Sequence, residues 1–149
     1  MPLSVFDIKE NITDEDEASG WIYILKSKSK HPQIKDIQNL YKIGFSSTPV
    51  EQRIKNAKNE ATYLYDEVTI VGAYKIYNLD VKKFEQLIHR VFATACLDIE
   101  FETKNNLRVN TREWFIVPKN VIKEAIELIM NGEIVNYKFD ARIQQLIQK

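Results

Sequence analysis

Three strand-like runs, each rich in β-branched and aromatic residues, constrain the fold of this chain most strongly. They are GWIYILKS from residue 20, LYKIGF from residue 40 and EVTIVGAYKIY from residue 67. Short apolar runs bounded by turn residues are typical of buried strands. The amphipathic run NLDVKKFEQLIHRVFATACL follows the third strand and predicts a long helix. We therefore expect an α+β fold, in which a small antiparallel β-sheet with three central strands is flanked by helices.

Further elements are predicted from residues that begin and end helices. STPVEQRIKNA, residues 47–57, has a threonine, a proline and a glutamate at the spacing of a capping box, which predicts a helix with Thr48 as its N-cap. REWFIV, residues 112–117, alternates like a short strand. Pro118 is expected to open a helix that ends near residue 131, and a short helix is expected at the C-terminus.

The length of 149 residues suits one domain with a leader and an extension. Residues 1–19 are acidic and show no apolar periodicity, which predicts a solvated leader or linker. Residues 20–131 are expected to form the domain. Residues 132–149 are expected to be a C-terminal extension that packs on it.

The zero formal net charge is the sum of two unlike regions. Residues 1–20 carry six acidic side chains against one lysine, so the remainder has an excess of five positive charges. That excess favours a polyanionic partner. No membrane span or secretory signal is expected, which indicates a cytoplasmic protein. Cys96 is the single cysteine, which excludes an internal disulfide and a cysteine-rich zinc site.

The stretch NLYKIGFSSTPVEQR, residues 39–53, combines a strand, a glycine and a helix start with side chains that suit phosphate chemistry. Tyr41 and Lys42 precede Gly44, and Arg53 lies one helical segment beyond it. Glycine at this position also allows the backbone or a phosphate to approach closely.

Taken in order, WIY, YKIG, the arginine-bearing helix and a later Glu-Trp-Phe strand resemble the GIY-YIG nuclease superfamily. The phage and bacterial subfamily with a Tyr-Lys-Ile-Gly second motif is most similar. The resemblance covers roughly residues 20 to 130. It implies a divalent-metal-dependent DNA endonuclease, a hydrolase that cleaves phosphodiester bonds by in-line attack of water.

By this resemblance, Tyr23 acts on or near the attacking water. A phenol must lose its proton to serve as a base, and a neighbouring cation such as Lys42 favours that loss. Lys42 occupies the position of the second-motif tyrosine, and Tyr41 is shifted by one. Because strand side chains alternate, only one of the two lines the site, and we expect it to be Lys42.

The resemblance also implies roles for an arginine and a glutamate. Arg53 is expected to bind the scissile phosphate, because a guanidinium contacts phosphate oxygens bidentately. Glu113 is expected to hold Mg²⁺ or Mn²⁺. Magnesium takes a few carboxylate and water oxygens together with the substrate phosphate, so one protein carboxylate is enough.

His89 completes the expected catalytic set, with Glu85 and Gly44 in supporting roles. Glu85 and His89 are four residues apart and therefore share a helix face, where the carboxylate fixes the imidazole tautomer. The alternative is a structural histidine at the border of the core.

Three functions remain open from the sequence. The first is the DNA endonuclease, and the second is a catalytically inactive module of the same fold that binds DNA or protein. The third is an α/β interaction domain with no role in nucleic-acid binding. The expected partner is DNA, with no membrane. Targeting would come from a separate domain or partner, or from a homodimer.

Overall fold

The computed structural model describes residues 5–7 and 18–149, which include eight strands and three α-helices. The helices are α1 Val50–Arg53, α2 Val81–Val91 and α3 Lys119–Met130. The strands are β1 Val5–Asp7, β2 Ala18–Ser27, β3 Leu40–Ser46, β4 Val68–Tyr77, β5 Cys96–Glu102, β6 Arg108–Ile116, β7 Tyr137–Asp140 and β8 Gln145–Gln148.

Six strands form one sheet in the order β1-β4-β2-β3-β6-β5. All neighbours within the run β4-β2-β3-β6-β5 pair antiparallel, whereas β1 pairs parallel to β4 at the edge of the sheet. The three predicted central strands are β4, β2 and β3, which are adjacent in the sheet. The α+β prediction is confirmed.

Strand alternation divides the core between the two sheet faces. Ile22 and Ile24 of β2 pack with α2 and α3 in one cluster, together with Ile43, Phe92 and other buried residues. The opposite face of β2 presents Tyr23 and Leu25, which pack with Val50 of α1 and with Tyr63. The segment between α1 and β4 therefore covers the face that carries Tyr23.

The sheet opens between β3 and β6. Only Leu40 to Lys42 pair with Trp114 to Ile116, after which β6 continues in contact with β5. Residues of β3 beyond Lys42 consequently have no strand on that side within the described part of the chain. This opening positions the site described below.

The first predicted helix is much shorter than expected. Helix α1 contains four residues, Pro49 is its N-cap, and no side chain caps it. Thr48 does not cap because the chain turns through Ser46, whose hydroxyl donates to the Thr48 carbonyl at 2.6 Å and accepts from the Thr48 amide at 3.1 Å. The prediction of a capping box is wrong.

The second predicted helix exists but is shorter than expected, and the predicted C-terminal helix is absent. Helix α2 starts after Asp80, whose carboxylate accepts from the Lys83 amide, but it ends at Val91 and Cys96 begins strand β5. The C-terminus forms the β7–β8 hairpin instead of a helix. Helix α3 and its end at residue 131 agree with the prediction, and the left-handed Gly132 follows it.

The predicted leader overlaps β1, which pairs with β4 over three residues. The rest of the predicted leader, residues 1–4 and 8–17, lies outside the described residues. At the other end, Phe139 and Leu146 of the hairpin contact the cluster beneath α2 and α3. No helix in the described ranges is long and apolar enough to cross a membrane.

Candidate functional site

A pocket of about 210 Å³ lies beside the opening between β3 and β6. Five residues singled out from the sequence line it, namely Tyr23, Lys42, Arg53, Glu85 and Glu113. The backbone segment 45–48 closes another side. We call this cavity the Tyr23 pocket. The pocket is lined by residues from four separate elements, β2, β3, α2 and β6, and by the last residue of α1.

Tyr23 and Gly44 are directly paired across β2 and β3. A Cβ atom added to Gly44 would lie 2.4 Å from the Tyr23 hydroxyl oxygen and 2.5 Å from the ring carbon that bears it. The glycine therefore makes room for the Tyr23 ring. The expectation that Gly44 admits a phosphate or backbone is corrected, because the phenol already fills that space.

The alternation in β3 places Lys42, not Tyr41, in the Tyr23 pocket. Lys42 is 2% exposed, and its ammonium lies 5.4 Å from the Tyr23 ring centre and 5.3 Å from that of Tyr63. Tyr41 packs partly buried against the cluster on the opposite face. Strand alternation predicted that only one of the two would face the site, and the expectation that it is Lys42 is confirmed.

Lys42 and Glu113 form an ion pair with 3.4 Å between Nζ and Oε2. Glu113 also accepts a hydrogen bond from the Thr62 hydroxyl. Burial lowers the pKa of Lys42, and Glu113 only partly offsets that effect. Burial alone would raise the pKa of Glu113, but Lys42 and Thr62 outweigh it and hold this pKa below its usual value.

Arg53 lies at the end of α1 with its guanidinium 5.2 Å from the centre of the Tyr63 ring. It also pairs with Glu60 at 3.4 Å. The side chain is partly exposed, so its donors can turn toward a ligand in the pocket. Burial opposes the charged form, yet Tyr63, Tyr23 and Glu60 together raise the pKa of Arg53, and the group stays a cation.

Glu85 and His89 satisfy the backbone of β3 where β6 has diverged. His89 donates from Nε2 to the Ile43 carbonyl at 2.5 Å, and Glu85 accepts from the Phe45 amide. The predicted shared helix face is therefore present. Glu85 lines the Tyr23 pocket, whereas His89 packs against Phe115 and does not line it.

Burial raises the pKa of Glu85, although His89 and Lys42 act in the opposite direction. The charge of Glu113 raises the same pKa further. The pocket thus contains two carboxyl groups that differ: Glu113 is ionised, and Glu85 holds its proton more strongly than an ordinary glutamate.

Tyr23 is 1% exposed, and its hydroxyl lies 3.1 Å from that of Tyr63. Burial raises the pKa of Tyr23 far above its usual value, and the Tyr63 hydrogen bond adds to this. The expectation that Lys42 favours a Tyr23 phenolate is corrected, because loss of solvent outweighs the nearby cations. Tyr23 is a phenol that can donate a hydrogen bond.

Thr62 and Tyr63 also belong to the site, although no sequence pattern predicted them, and they lie in a short 3-10 turn, Ala61–Tyr63. Trp114 fixes this turn by donating from its indole nitrogen to the Thr62 carbonyl at 2.9 Å. The turn then delivers one hydroxyl to Glu113 and one to Tyr23. The available signal was an aromatic residue in a polar segment outside any periodic element, which is a weak one.

The donors in the Tyr23 pocket fit a hard divalent cation of the magnesium type. Glu113 and Glu85 offer carboxylate oxygens, and their mutual repulsion would fall if a cation lay between them. No group of three or more His, Cys, Asp or Glu side chains suited to a metal occurs among the residues that the structure describes. A metal here would therefore keep water or phosphate oxygens as its other ligands.

The chain is similar to an uncharacterized protein, YeeC, of Bacillus subtilis (strain 168). The two are 42% identical over 121 residues, which cover 81% of this chain and 32% of YeeC. The chain thus spans about a third of the length of that relative. No solved structure matches the chain significantly.

The family model that matches residues 20–130 is the T5orf172 domain. This match overturns the assignment to the GIY-YIG superfamily, which is a different family. The motifs that suggested it are short strand and turn pieces, and packing explains part of them: Gly44, for instance, accommodates the Tyr23 ring. Because the match covers more than half of its length, the chain belongs to the T5orf172 domain family.

Proposed function

We propose that this domain binds DNA and hydrolyses a phosphodiester bond in the Tyr23 pocket with the help of Mg²⁺ or Mn²⁺. T5orf172 domains are of a nuclease-like, DNA-binding kind, which fits DNA as the partner. The observation that carries the proposal is the meeting of a guanidinium, an ammonium, a phenol and two carboxyl groups in a cavity of about 210 Å³. Reaction at a phosphate needs these kinds of group.

Each side chain has a role that follows from its surroundings. Arg53 binds phosphate oxygens, because it is cationic and only partly exposed. When Tyr63 donates the hydrogen bond between the two hydroxyls, the O–H of Tyr23, which lines the pocket, is left to donate to the substrate. Glu113 and Glu85 would hold the metal ion.

Once its ammonium has released a proton, the neutral amine of Lys42 is better suited than Tyr23 to accept a proton from water. Burial lowers the pKa of Lys42 and raises the pKa of Tyr23. The Lys42 ammonium therefore loses its proton more readily than an exposed lysine does, whereas the Tyr23 phenol loses its proton less readily than an exposed tyrosine does. A bound divalent ion would supply a Lewis acid for the phosphate and lower the pKa of its water. The pocket residues exclude bulk water from Lys42, which is 2% exposed.

A second function, DNA binding without hydrolysis, is favoured by one observation. Lys42 neutralises Glu113 at 3.4 Å, so the carboxylate already has a cationic partner. A domain that only binds would keep this ion pair intact in the complex. The two functions differ in whether Glu113 is needed for turnover.

The test is cleavage of supercoiled plasmid DNA by the purified protein in Mg²⁺ or Mn²⁺. Glu113→Gln is expected to lower the rate at least about 100-fold, the equivalent of about 2.7 kcal/mol, while binding of DNA persists. Glu124→Gln on the exposed face of α3 is the matched control and should cleave normally. Cleavage by Glu113→Gln at the normal rate would contradict the metal role, and DNA binding without cleavage by the unmodified protein would favour the second function.

A further inference from the structure

We propose that a second pocket binds an unpaired nucleotide of the DNA, with its base stacked on His31 and Tyr65. This pocket has a volume of about 380 Å³, which is within the usual range for small-ligand sites. Its lining includes Lys28, Lys30, His31, Tyr65, Phe101 and Lys104, and we call it the His31 pocket. The inference rests on the proposed DNA function and deepens it, because it specifies DNA with a single-stranded segment.

Aromatic rings form the floor and wall of the His31 pocket. His31 stacks on Phe101 with 3.9 Å between ring centres and 23° between planes. Phe101 is buried and covers one face of the imidazole, while His31 itself is only half-buried. Tyr65, also half-buried, lines the same cavity. Stacking on such rings accepts any base, because every base has a π face.

The charge around these rings suits a phosphate backbone. Lys28, Lys30 and Lys104 are exposed at the pocket, and Asp66 is the acidic residue that lines it with them. Lys28 also lines an adjacent groove that contains Lys55 and Lys58, in which Glu67 pairs with Lys58 at 3.2 Å. Lys28 and Lys55 therefore extend the positive surface past the pocket, where it can contact the phosphates of a strand.

Hydrogen bonds hold the loop of His31 in place before any ligand binds. The His31 amide donates to the Ser29 hydroxyl at 3.2 Å, and the His31 carbonyl accepts from the amides of Ile34 and Lys35. Imidazole Nδ1 accepts from the Gln33 amide at 3.1 Å, which leaves the proton on Nε2. The ring is therefore preorganised, and Nε2 can donate to an acceptor on a base.

One short segment connects the two pockets. Tyr63 bonds to Tyr23 in the first pocket, and Tyr65 lines the second. Two residues span at most about 7 Å between Cα atoms. Leu64 and Tyr65 both adopt left-handed backbone conformations, with φ of 62° and 53°, and the Tyr65 amide is fixed by the Glu60 carbonyl. One short turn of the chain therefore joins the surroundings of the two pockets.

The test measures binding in EDTA, so that it does not depend on hydrolysis. One labelled duplex carries a four-nucleotide single-stranded tail with 2-aminopurine in it, and the other is blunt. We expect the protein to bind the tailed duplex more tightly and to quench the 2-aminopurine by stacking. Tyr65→Ala should weaken tailed binding by about five- to 150-fold, the measured range for loss of one stacked base, and leave blunt binding unchanged.

The matched control is Tyr137→Ala, which removes a half-buried tyrosine from β7, outside the His31 pocket. Tyr65→Phe keeps the ring and should retain the preference for the tail. Equal affinity of the unmodified protein for both duplexes, or unchanged 2-aminopurine fluorescence on binding, would overturn the inference without any variant. Absence of cleavage in Mg²⁺ alongside a clear tail preference would contradict the proposed hydrolysis and leave this inference standing.

Discussion

At the scale of single residues, the burial of Lys42 is the most unusual feature of the molecule. An ammonium loses hydration in this position, and Glu113, with which it forms an ion pair, has a side chain that is 42% exposed. Water can therefore solvate Glu113 without help from Lys42. The opposite is not true, so the lysine is the member of the pair whose burial opposes folding.

We predict that Lys42→Met raises the free energy of unfolding by about 1 kcal/mol at pH 7, because methionine fills the site without a buried charge. Urea unfolding measures this directly. Activity on DNA should be lost in the same variant, as expected when a strained site is made stable. A drop in stability of several kcal/mol would contradict the view that Glu113 is adequately solvated.

The pH dependence of stability should also differ between these two proteins. The pKa of Lys42 is lower in the folded state than in the unfolded chain. Between the two values the unfolded chain binds the proton, so unmodified protein gains stability as pH rises toward the usual lysine value. Lys42→Met should show no such gain, and equal slopes in urea unfolding from pH 7 to 10 would contradict the shift.

Thr62 affects Glu113 through one hydrogen bond. We predict that Thr62→Val, which keeps the shape, lowers the free energy of unfolding by about 1 kcal/mol at pH 7, because the partly exposed carboxylate loses a donor. The pKa of Glu113 is lower in the folded protein than in the unfolded chain, so this carboxylate stabilises the fold at pH values above its unfolded pKa. That contribution disappears as pH falls through the folded pKa.

The difference between Thr62→Val and unmodified protein should therefore shrink toward zero in acid. Urea unfolding at a series of pH values from neutral to about 3 checks this. Thr94→Val, at an exposed position in the short turn Ala93–Ala95, is a control and should show no pH-dependent difference. A constant difference at all pH values would show that Thr62 acts through packing alone.

At the scale of elements, the pairing of β2 with β3 depends on the fit between Tyr23 and Gly44. We predict that Gly44→Ala lowers the free energy of unfolding by about 2 kcal/mol or more, since the new methyl group would overlap a buried ring on the paired strand. Thermal unfolding measures the loss. Gly132→Ala should cost less, about 1 kcal/mol, because no atom lies within 4 Å of the added carbon and only the left-handed backbone, with φ of 78°, opposes it.

A double-mutant cycle identifies the ring as the cause. In the Tyr23→Ala background, Gly44→Ala should cost much less than it does alone, because the atoms that it would overlap have gone. Additive effects would mean that the glycine is needed for its backbone and not for the tyrosine.

The sequence predicted those elements whose pattern extends over many residues. The alternation in β2 and β3 correctly assigned the faces of Tyr23 and Lys42, and the stripe in α2 correctly placed Glu85 and His89 together. Prediction from the sequence failed where a short local pattern, such as a capping box, competes with tertiary contacts. Thr48 had the pattern of an N-cap, but its amide, carbonyl and hydroxyl groups all form hydrogen bonds with the Ser46 hydroxyl instead.

The candidate site was predictable only in part, for the same reason. Tyr23, Arg53 and Glu113 were singled out through the family resemblance, whereas strand and helix periodicity assigned the faces of Lys42, Glu85 and His89. Thr62 and Tyr63 were not predicted, because Trp114 from a distant strand fixes their turn. Burial keeps Tyr23 protonated, so that it is a hydrogen-bond donor and not the expected base. This burial also arises from tertiary packing, which a local sequence pattern does not contain.

At the scale of the whole molecule, the C-terminal hairpin completes the core under α2. Phe139 is buried and meets Phe92 edge to face at 5.1 Å. We predict that Phe139→Ala lowers the free energy of unfolding by about 3 kcal/mol, because it leaves a cavity beside a buried ring. Ile143→Ala in the same hairpin is 52% exposed and should stay within about 0.5 kcal/mol.

Chemical unfolding of both variants provides the comparison. Equally small effects of the two substitutions would mean that residues 132–149 contribute little to the stability of the domain. A large effect confined to Phe139→Ala would mean that the hairpin and the sheet unfold as one unit.

The opening between β3 and β6 leaves the second half of β3 as an edge strand inside the protein. Unprotected edges invite strands from other molecules, which is a common origin of aggregation. Glu85 and His89 occupy the hydrogen-bonding groups that a foreign strand would use. Side chains of α2 therefore bond to the free edge of β3 beside the Tyr23 pocket, which leaves a foreign strand fewer backbone groups to pair with there.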